Sequence, residues 1–326
     1  MKSRKKSKQF HNNGKTRRQR KHNKKEKEVE NEKQIAGHLQ TISQEQIEKE
    51  FKQLREINCK QAKEAGSRTR LGNRIVDAFT LVERLHSTGD QKVTFYDFWK
   101  KRDFYQKKPY IKKMLAFYKK RNVSEIRKMK YIFNLYFSSI SIFRPIMAME
   151  VYCRVHAKRV LDFTMGWGGR LVGACSINLE AYYGVDLNKH LAKPYKELID
   201  FLQSQPDMNT TISVQFKNAL EVDYSRMDYD TVFTSPPYYN TEIYHGHVPP
   251  YSTKAQWHKK FYEPLFRKTY THLKKGGNYC INVPEAIYNQ ACIPTLGKCD
   301  RKILLKKGDR GLSSHYREFI YVWEKK

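Results

Sequence analysis

The residues best suited to chemistry stand together in the stretch Asp230 to Asn240, DTVFTSPPYYN. An apolar run ends there on Ser235, Pro236, Pro237 and Tyr238. Proline has no N–H to give a sheet, fixes its own φ near about −65° and pushes the residue before it out of the helical region. Ser-Pro-Pro-Tyr is therefore a stiff extended elbow that can hold a hydroxyl and a main-chain carbonyl in fixed directions. Its plainer reading is a strand stop, and the company it keeps decides between the two.

A second candidate lies upstream, in RVLDFTMGWGGRLVGACSINLEAYYGVDLN. It reads as a strand (Val160 to Phe163), a turn bearing Gly166, Gly168 and Gly169, a helix (Arg170 to Ile177) and a second strand closing on Asp186. Glycines let a backbone approach a ligand and turn into a helix N-terminus, and an acid about 20 residues on can accept bonds from ribose hydroxyls. The same pattern serves a NAD enzyme, or no ligand at all. Arg170, opening the helix, can meet a phosphate or pair with a carboxylate.

The elements that position these residues alternate. LAKPYKELIDFL reads as a helix, TISVQFKNAL as a third strand with Asn218 toward its end, and YDTVFT as a fourth strand ending on the elbow. A helix over STKAQWHKKFYEPLFRKTYTHLKKGG, a strand NYCINV and a closing pair, KILLKK with YREFIYVWEKK, follow. SSHYREF reads as the hairpin of that pair, with Arg317 and Glu318 exposed. Strand-helix alternation implies a parallel sheet with ligands outside the strand C-termini, and both the glycine turn and the elbow fall on that edge.

Ahead of this α/β region the chain is basic and aromatic. Residues 1–33 are dense in Lys and Arg, with Phe10 the lone bulky ring in the first thirty, and read as a disordered basic arm. The arm suits nucleic-acid docking, nuclear import or plain solubility. Residues 34–140 read as a mainly helical region: Ile47, Phe51 and Leu54 recur at helical spacing within one helix from Gln34 to about Arg55. Further on, VTFYDFWKKRDFYQKKPYIKKMLAFYKKR alternates rings with cations, as a core-forming helical subdomain or a surface that stacks bases and neutralises phosphates would. The net charge of +30 points to a polyanionic partner, nucleic acid foremost. No run of about 18 apolar residues and no signal-peptide core is visible, so a soluble intracellular protein without membrane contact is expected, the basic arm admitting a nuclear one. The six cysteines form no C-x-x-C pair and are expected as reduced thiols.

The glycine turn in DFTMGWGG, the acid ending strand two and S-P-P-Y ending strand four together resemble the S-adenosylmethionine-dependent amino-methyltransferases that methylate exocyclic amines of nucleic-acid bases. The resemblance covers 141–326 and implies a Rossmann-like class I methyltransferase fold: a mostly parallel seven-stranded sheet with helices on both faces. It implies S-adenosylmethionine as cofactor. Asp162, Phe163, Thr164, Gly166 and Gly168 would line its methionine and ribose side, Asp186 would hold the ribose and Leu187 would lie on adenine. Asn218 would meet the adenine edge, and Phe143, Arg144 and Pro145 would cap the methionine end. Catalysis would fall to Ser235, Pro236, Pro237 and Tyr238: a hydroxyl and a fixed carbonyl accept from the amine and a ring stacks on the flipped base. Within the family the first elbow residue is more often Asp or Asn, and serine leans toward cytosine N4 over adenine N6. DNA is favoured over RNA as partner. An RNA base methyltransferase (guanine N2 or adenine N6) and an inactive nucleic-acid-binding subunit are the alternatives. No long target-reading insert separates the motifs and no sizeable region follows the elbow, which leaves that task to the basic-aromatic region or implies little sequence specificity. The loop NTEIYHGHVPPYS after the elbow, with Tyr244, His245, His247 and Tyr251, suits a lid or a substrate-contacting loop; its neighbouring sequence supplies no further ligands, and no metal is expected.

Overall fold

The computed structural model describes residues 31–65, 69–89, 91–119, 121–137, 140–305 and 318–326. The basic arm up to residue 30 and most of the expected SSHYREF hairpin, Arg317 included, lie outside them. The first part is helical: α1 (31–39), α2 (Gln44–Arg55), α3 (Cys59–Ala65), α4 (Asn73–Leu85), α5 (Phe95–Lys100), α6 (Arg102–Gln106), α7 (Pro109–Lys119), α8 (Glu125–Tyr136) and α9 (Pro145–Val155). The single helix expected from Gln34 to Arg55 is two. Ser43 Oγ accepts from Gln46 N at 3.2 Å while Gln46 Oε1 accepts from Ser43 N at 3.0 Å, a reciprocal cap that starts a new helix. Ile47, Phe51 and Leu54 are buried on its inner face.

The second part runs β1 (Arg159–Asp162), α10 (Gly169–Ser176), β2 (Ala181–Asp186), α11 (Ala192–Gln203), β3 (Thr211–Phe216), β4 (Thr231–Thr234), α12 (Lys254–Trp257), α13 (Glu263–Thr271), β5 (Asn278–Asn282), α14 (Glu285–Ile287), α15 (Ile293–Leu296), β6 (Arg301–Leu305) and β7 (Glu318–Glu324). The sheet order is β3-β2-β1-β4-β5-β7-β6. β1 to β5 pair in parallel, and β7 is antiparallel to both β5 and β6. This is the expected Rossmann-like class I methyltransferase fold. Its order reverses between β1 and β4, so the crevice for a ligand opens at the C-terminal ends of those two strands.

Side chains alternate across the sheet with period two. Val160, Tyr182, Phe233, Cys280 and Val322 enter one core with α2, α4, α9, α10 and α11. Leu161, Val185, Val232, Tyr279, Ile281 and Tyr321 enter the other with α13. Helices therefore cover both faces.

Contacts divide the chain into two units, one holding 31–41 and 99–132, the other 42–98 and 133–326. Residues 42–98 thus pack with the sheet rather than forming one region with 99–132: the Phe51 and Phe79 rings lie 6.0 and 5.7 Å from Phe201 of α11. The packing of α3 on α9 joins Cys59 and Cys153 in a disulfide with Cα atoms 5.5 Å apart. This corrects the expectation of reduced thiols throughout, while Cys175, Cys280, Cys292 and Cys299 are free.

The long helix expected after the elbow contains a π turn over His258–Tyr262 between α12 and α13. Pro264 has no N–H for the Lys260 carbonyl one turn back, and Tyr251 Oη donates to that carbonyl at 3.3 Å instead. Among the described residues no helix is long and apolar enough to cross a membrane.

Candidate active site at the sheet switch point

The glycine turn leaves β1 against a crowded wall. Gly168 caps α10 at φ +91°, a conformation side chains rarely adopt, and a Cβ on Gly169 would fall 1.8 Å from the Phe143 carbonyl oxygen. The close approach at these positions is therefore to the protein's own backbone and to Leu198. Phe143 packs its ring edge-on to Phe233 at 5.3 Å, Arg144 is the N-cap of α9 and Pro145 its first residue. The three expected cap residues thus fix the entry to α9 beside the turn.

Asp162, at the end of β1, is fully buried and its carboxylate is saturated. It accepts from Arg170 Nε at 2.6 Å, Arg170 Nη2 at 3.1 Å, Tyr182 Oη at 2.6 Å and Thr234 Oγ1 at 2.7 Å. Arg170 therefore takes the carboxylate partner rather than a phosphate, and also donates to the Thr164 carbonyl at 2.5 Å. Burial works against its charge, but Asp162 beside it prevails and holds the guanidinium above its ordinary pKa. Thr164 bonds back across the switch point: its N–H donates to Thr234 Oγ1 at 3.2 Å and the two hydroxyls lie 2.6 Å apart. Phe163 points the other way, into the core, 6.3 Å from the Phe266 ring.

Asp186 ends β2 with its carboxylate facing the turn. Gly166 N donates to one oxygen and Asn188 N to the other, both at 2.8 Å. Burial outweighs these two donors and pushes the carboxyl up to about 6. Two features there fit a nucleoside. A carboxylate has about four acceptor positions and two are taken, leaving room for ribose hydroxyls; and the buried Asn188 Nδ2 has no hydrogen-bond partner. Leu187 beside them is 48% exposed, an apolar surface for a base. Asn218 stands apart in role: its Oδ1 accepts from Leu220 N at 3.1 Å and its Nδ2 reaches Glu221 Oε1 at 3.4 Å, so the side chain caps its own turn.

The elbow is held from three directions. Tyr262, carried by the π turn, donates its hydroxyl to the Pro237 carbonyl at 2.5 Å, and Tyr239 N donates to the same hydroxyl at 3.2 Å. Tyr238 Oη lies 2.9 Å from Ser235 Oγ, 3.1 Å from the Asn282 carbonyl and 3.0 Å from Asn282 Oδ1. Ser235 Oγ reaches the same Asn282 oxygens at 3.4 and 3.3 Å. Asn282 offers only acceptors on that side, so the serine and tyrosine protons can both point toward it and leave Ser235 lone pairs for another donor. Pro236 is a buried residue, and its carbonyl accepts no hydrogen bond among the described residues.

The loop after the elbow is anchored. Thr88 and Ile243 exchange backbone hydrogen bonds at 2.9 Å, Lys92 Nζ donates to the Asn240 carbonyl, and Trp257 Nε1 donates to Asn240 Oδ1 at 3.2 Å. Tyr244 sets its ring edge-on to Trp167 of the glycine turn at 5.2 Å, so the loop reaches over that turn. His245 stacks between His86 and His190, at 4.3 Å from each. Burial first, then the neighbouring His245 and His190, lower the His86 pKa to about 4. Glu83 and His190, distant in sequence, come together with His245 here.

Sequence reasoning missed Asn188, Asn282, Tyr262, Thr234, Glu83 and His190. Asn282 had a signal: Asn-Val-Pro ends its strand much as Ser-Pro-Pro ends β4. The others are brought in by packing.

No family model matches the chain, and no curated protein matches it. Among solved structures it is similar to TrmN from Thermus thermophilus, with 16% identity over 56% of this chain and 49% of that one and a TM-score of 0.38. It is also similar to a type I restriction-modification methyltransferase subunit from Streptococcus thermophilus, with 16% identity over 61% and 48% and a TM-score of 0.40. A SAM-dependent O-methyltransferase from Thermotoga maritima aligns with 14% identity over 60% and 70%, again with a TM-score of 0.40. The chain spans about half the length of the first two. Likenesses this distant carry no argument about chemistry, and the strand order speaks for the fold on its own.

Proposed function

We propose that this chain is an S-adenosylmethionine-dependent amino-methyltransferase of nucleic acid, acting on DNA, with cytosine N4 favoured over adenine N6. The observation that carries the reading is the Pro236 carbonyl, without a hydrogen-bond partner among the described residues, next to Ser235 at the end of β4 and one strand from the glycine turn. Asp186, Asn188 and Leu187 would hold the nucleoside of the cofactor, with Gly166 and Thr164 toward its methionine. Bound there, the cofactor supplies an electrophilic methyl group.

The chain's own part is to make a poor nucleophile react. An exocyclic amine delocalises its lone pair into the ring, and acceptors for its two N–H bonds favour the pyramidal nitrogen that can attack. Ser235 Oγ and the Pro236 carbonyl are such acceptors, held before substrate arrives by Asn282 and the prolines. On taking up that methyl group the amine would become cationic, and these acceptors would pass one of its protons on to water. Tyr238, with its hydroxyl beside Asn282, offers a ring whose position is fixed for stacking on a flipped base.

Nucleic acid as substrate is supported by the helices of 99–132. Phe104, Tyr110, Phe117 and Tyr131 are exposed there, with Lys108 Nζ 4.6 Å from the Phe104 ring and Arg121 Cζ 4.9 Å from that of Phe117. Paired rings and cations suit a strand with accessible bases. Purified protein with labelled S-adenosylmethionine and separate DNA and RNA pools, digested to nucleosides, tests the reading. The expected product is N4-methyldeoxycytidine, reduced about 100-fold or more in Ser235→Ala, the order of effect seen when one preorganised polar group is lost. Label in RNA alone replaces the substrate assignment; no transfer to either pool, or full activity of Ser235→Ala, overturns the site.

A further inference from the structure

Glu83 on the last turn of α4, His190 in the short turn after β2 and His245 in the loop after the elbow each bring one ligand atom within 4.8 Å of the other two. His245 Nδ1 and Glu83 Oε2 lie 3.5 Å apart. Both atoms are closed off from solvent, and neither has a hydrogen-bond partner. A buried polar atom left unpaired costs about 1–3 kcal/mol, and here two such atoms face each other. A proton between them would make a hydrogen bond, but their separation is at the outer limit for one. It does match the spacing of two ligands on one small cation: metal–nitrogen and metal–oxygen distances near about 2.1 Å put tetrahedral neighbours roughly 3.4 Å apart.

We propose that Glu83, His190 and His245 form a divalent-metal site, suited to Zn²⁺, that clasps the loop after the elbow onto α4 and the end of β2. Two imidazoles and a carboxylate are a sufficient protein donor set, leaving further positions for water. His190 must leave its stack on His245, where the rings lie 20° from parallel, and swing inward by roughly 1 Å so that the ring planes of both meet the ion. The ion's role is positional: it fixes the segment that sets Tyr244 on Trp167, next to the Gly166 whose N–H donates to Asp186, and it touches none of the elbow groups. The site stands whether or not the chain transfers methyl groups.

The test uses untagged full-length protein stripped with a chelator, loaded with Zn²⁺, desalted and analysed for metal. About one tightly held ion per chain is expected, with retention falling at least tenfold in both His190→Ala and His245→Ala; circular dichroism checks that the variants remain folded. Co²⁺ loaded into the parent protein gives an independent reading, since visible bands without a thiolate charge-transfer band identify nitrogen and oxygen ligands. No ion retained by the parent protein, equal retention in folded variants, or a thiolate band pointing to a cysteine overturns the proposal.

Discussion

Asp162→Asn separates an acid that holds the scaffold from one that holds a ligand. The side chain is fully buried and accepts four hydrogen bonds, two of them from an Arg170 that is 5% exposed. The substitution removes the counter-charge of a buried guanidinium and offers an NH₂ to donors placed for an oxygen. Breaking a buried pair in this way costs about 3–5 kcal/mol. For a unit of this size, where 1 kcal/mol moves Tm by about 2–4 °C, the melting temperature should fall by roughly 6–20 °C. Urea denaturation at neutral pH, read by intrinsic fluorescence, gives the free energy. Arg170→Gln alone should be similarly damaging, and the double variant should lose at least about 1.5 kcal/mol less than the sum, because each single change strands the other's charge. A stability within about 0.5 kcal/mol of the parent, with cofactor affinity lost, would refute the scaffold role and return Asp162 to the ligand pocket.

Asp186 carries a pH signature. Its folded-state pKa of about 6 lies above the ordinary carboxylate value of 3.8, so its contribution to stability is complete below about pH 4 and is lost as pH rises through 6. Two units correspond to about 3 kcal/mol, so the stability difference between parent and Asp186→Asn should shift by up to that amount across pH 4–7. Ribose hydroxyls would favour the ionised form, so S-adenosylmethionine should bind the parent more tightly at pH 7 than at pH 5, by about tenfold in calorimetry; a flat profile removes Asp186 from the ribose. Gly169→Ala places a methyl 1.8 Å from a backbone oxygen that cannot yield, and should cost about 3 kcal/mol or fail to fold, whereas Gly37→Ala, with open space around it in α1, should fold normally and melt no lower than the parent.

The alternation of strands and helices was legible because period-two and period-3.6 patterns are local, and it carried the sheet through to its antiparallel end. The elbow and the glycine turn were legible because Pro and Gly restrict or free the backbone wherever they stand. Cys59 and Cys153, or Glu83, His190 and His245, carry no such local mark; they meet because α3 lies on α9 and because the loop bridges from Ile243 to Thr88. Residues 42–98 read as part of the basic-aromatic region by composition, yet Phe51 and Phe79 find their partner in Phe201. Burial also divides the rings that composition grouped: Phe95, Phe98 and Phe133 are core, while Phe104 and Phe117 are exposed. The elbow shows the same limit in miniature. Proline stiffens Ser235 to Tyr238 from within, but the direction in which the Pro236 carbonyl points depends on Tyr262 gripping the next carbonyl, on Asn282 holding Tyr238 and Ser235, and on Thr164 holding Thr234. Those three supports come from a π turn, the end of β5 and the glycine turn, so a four-residue motif is read from the chain while its aim is read only from the fold.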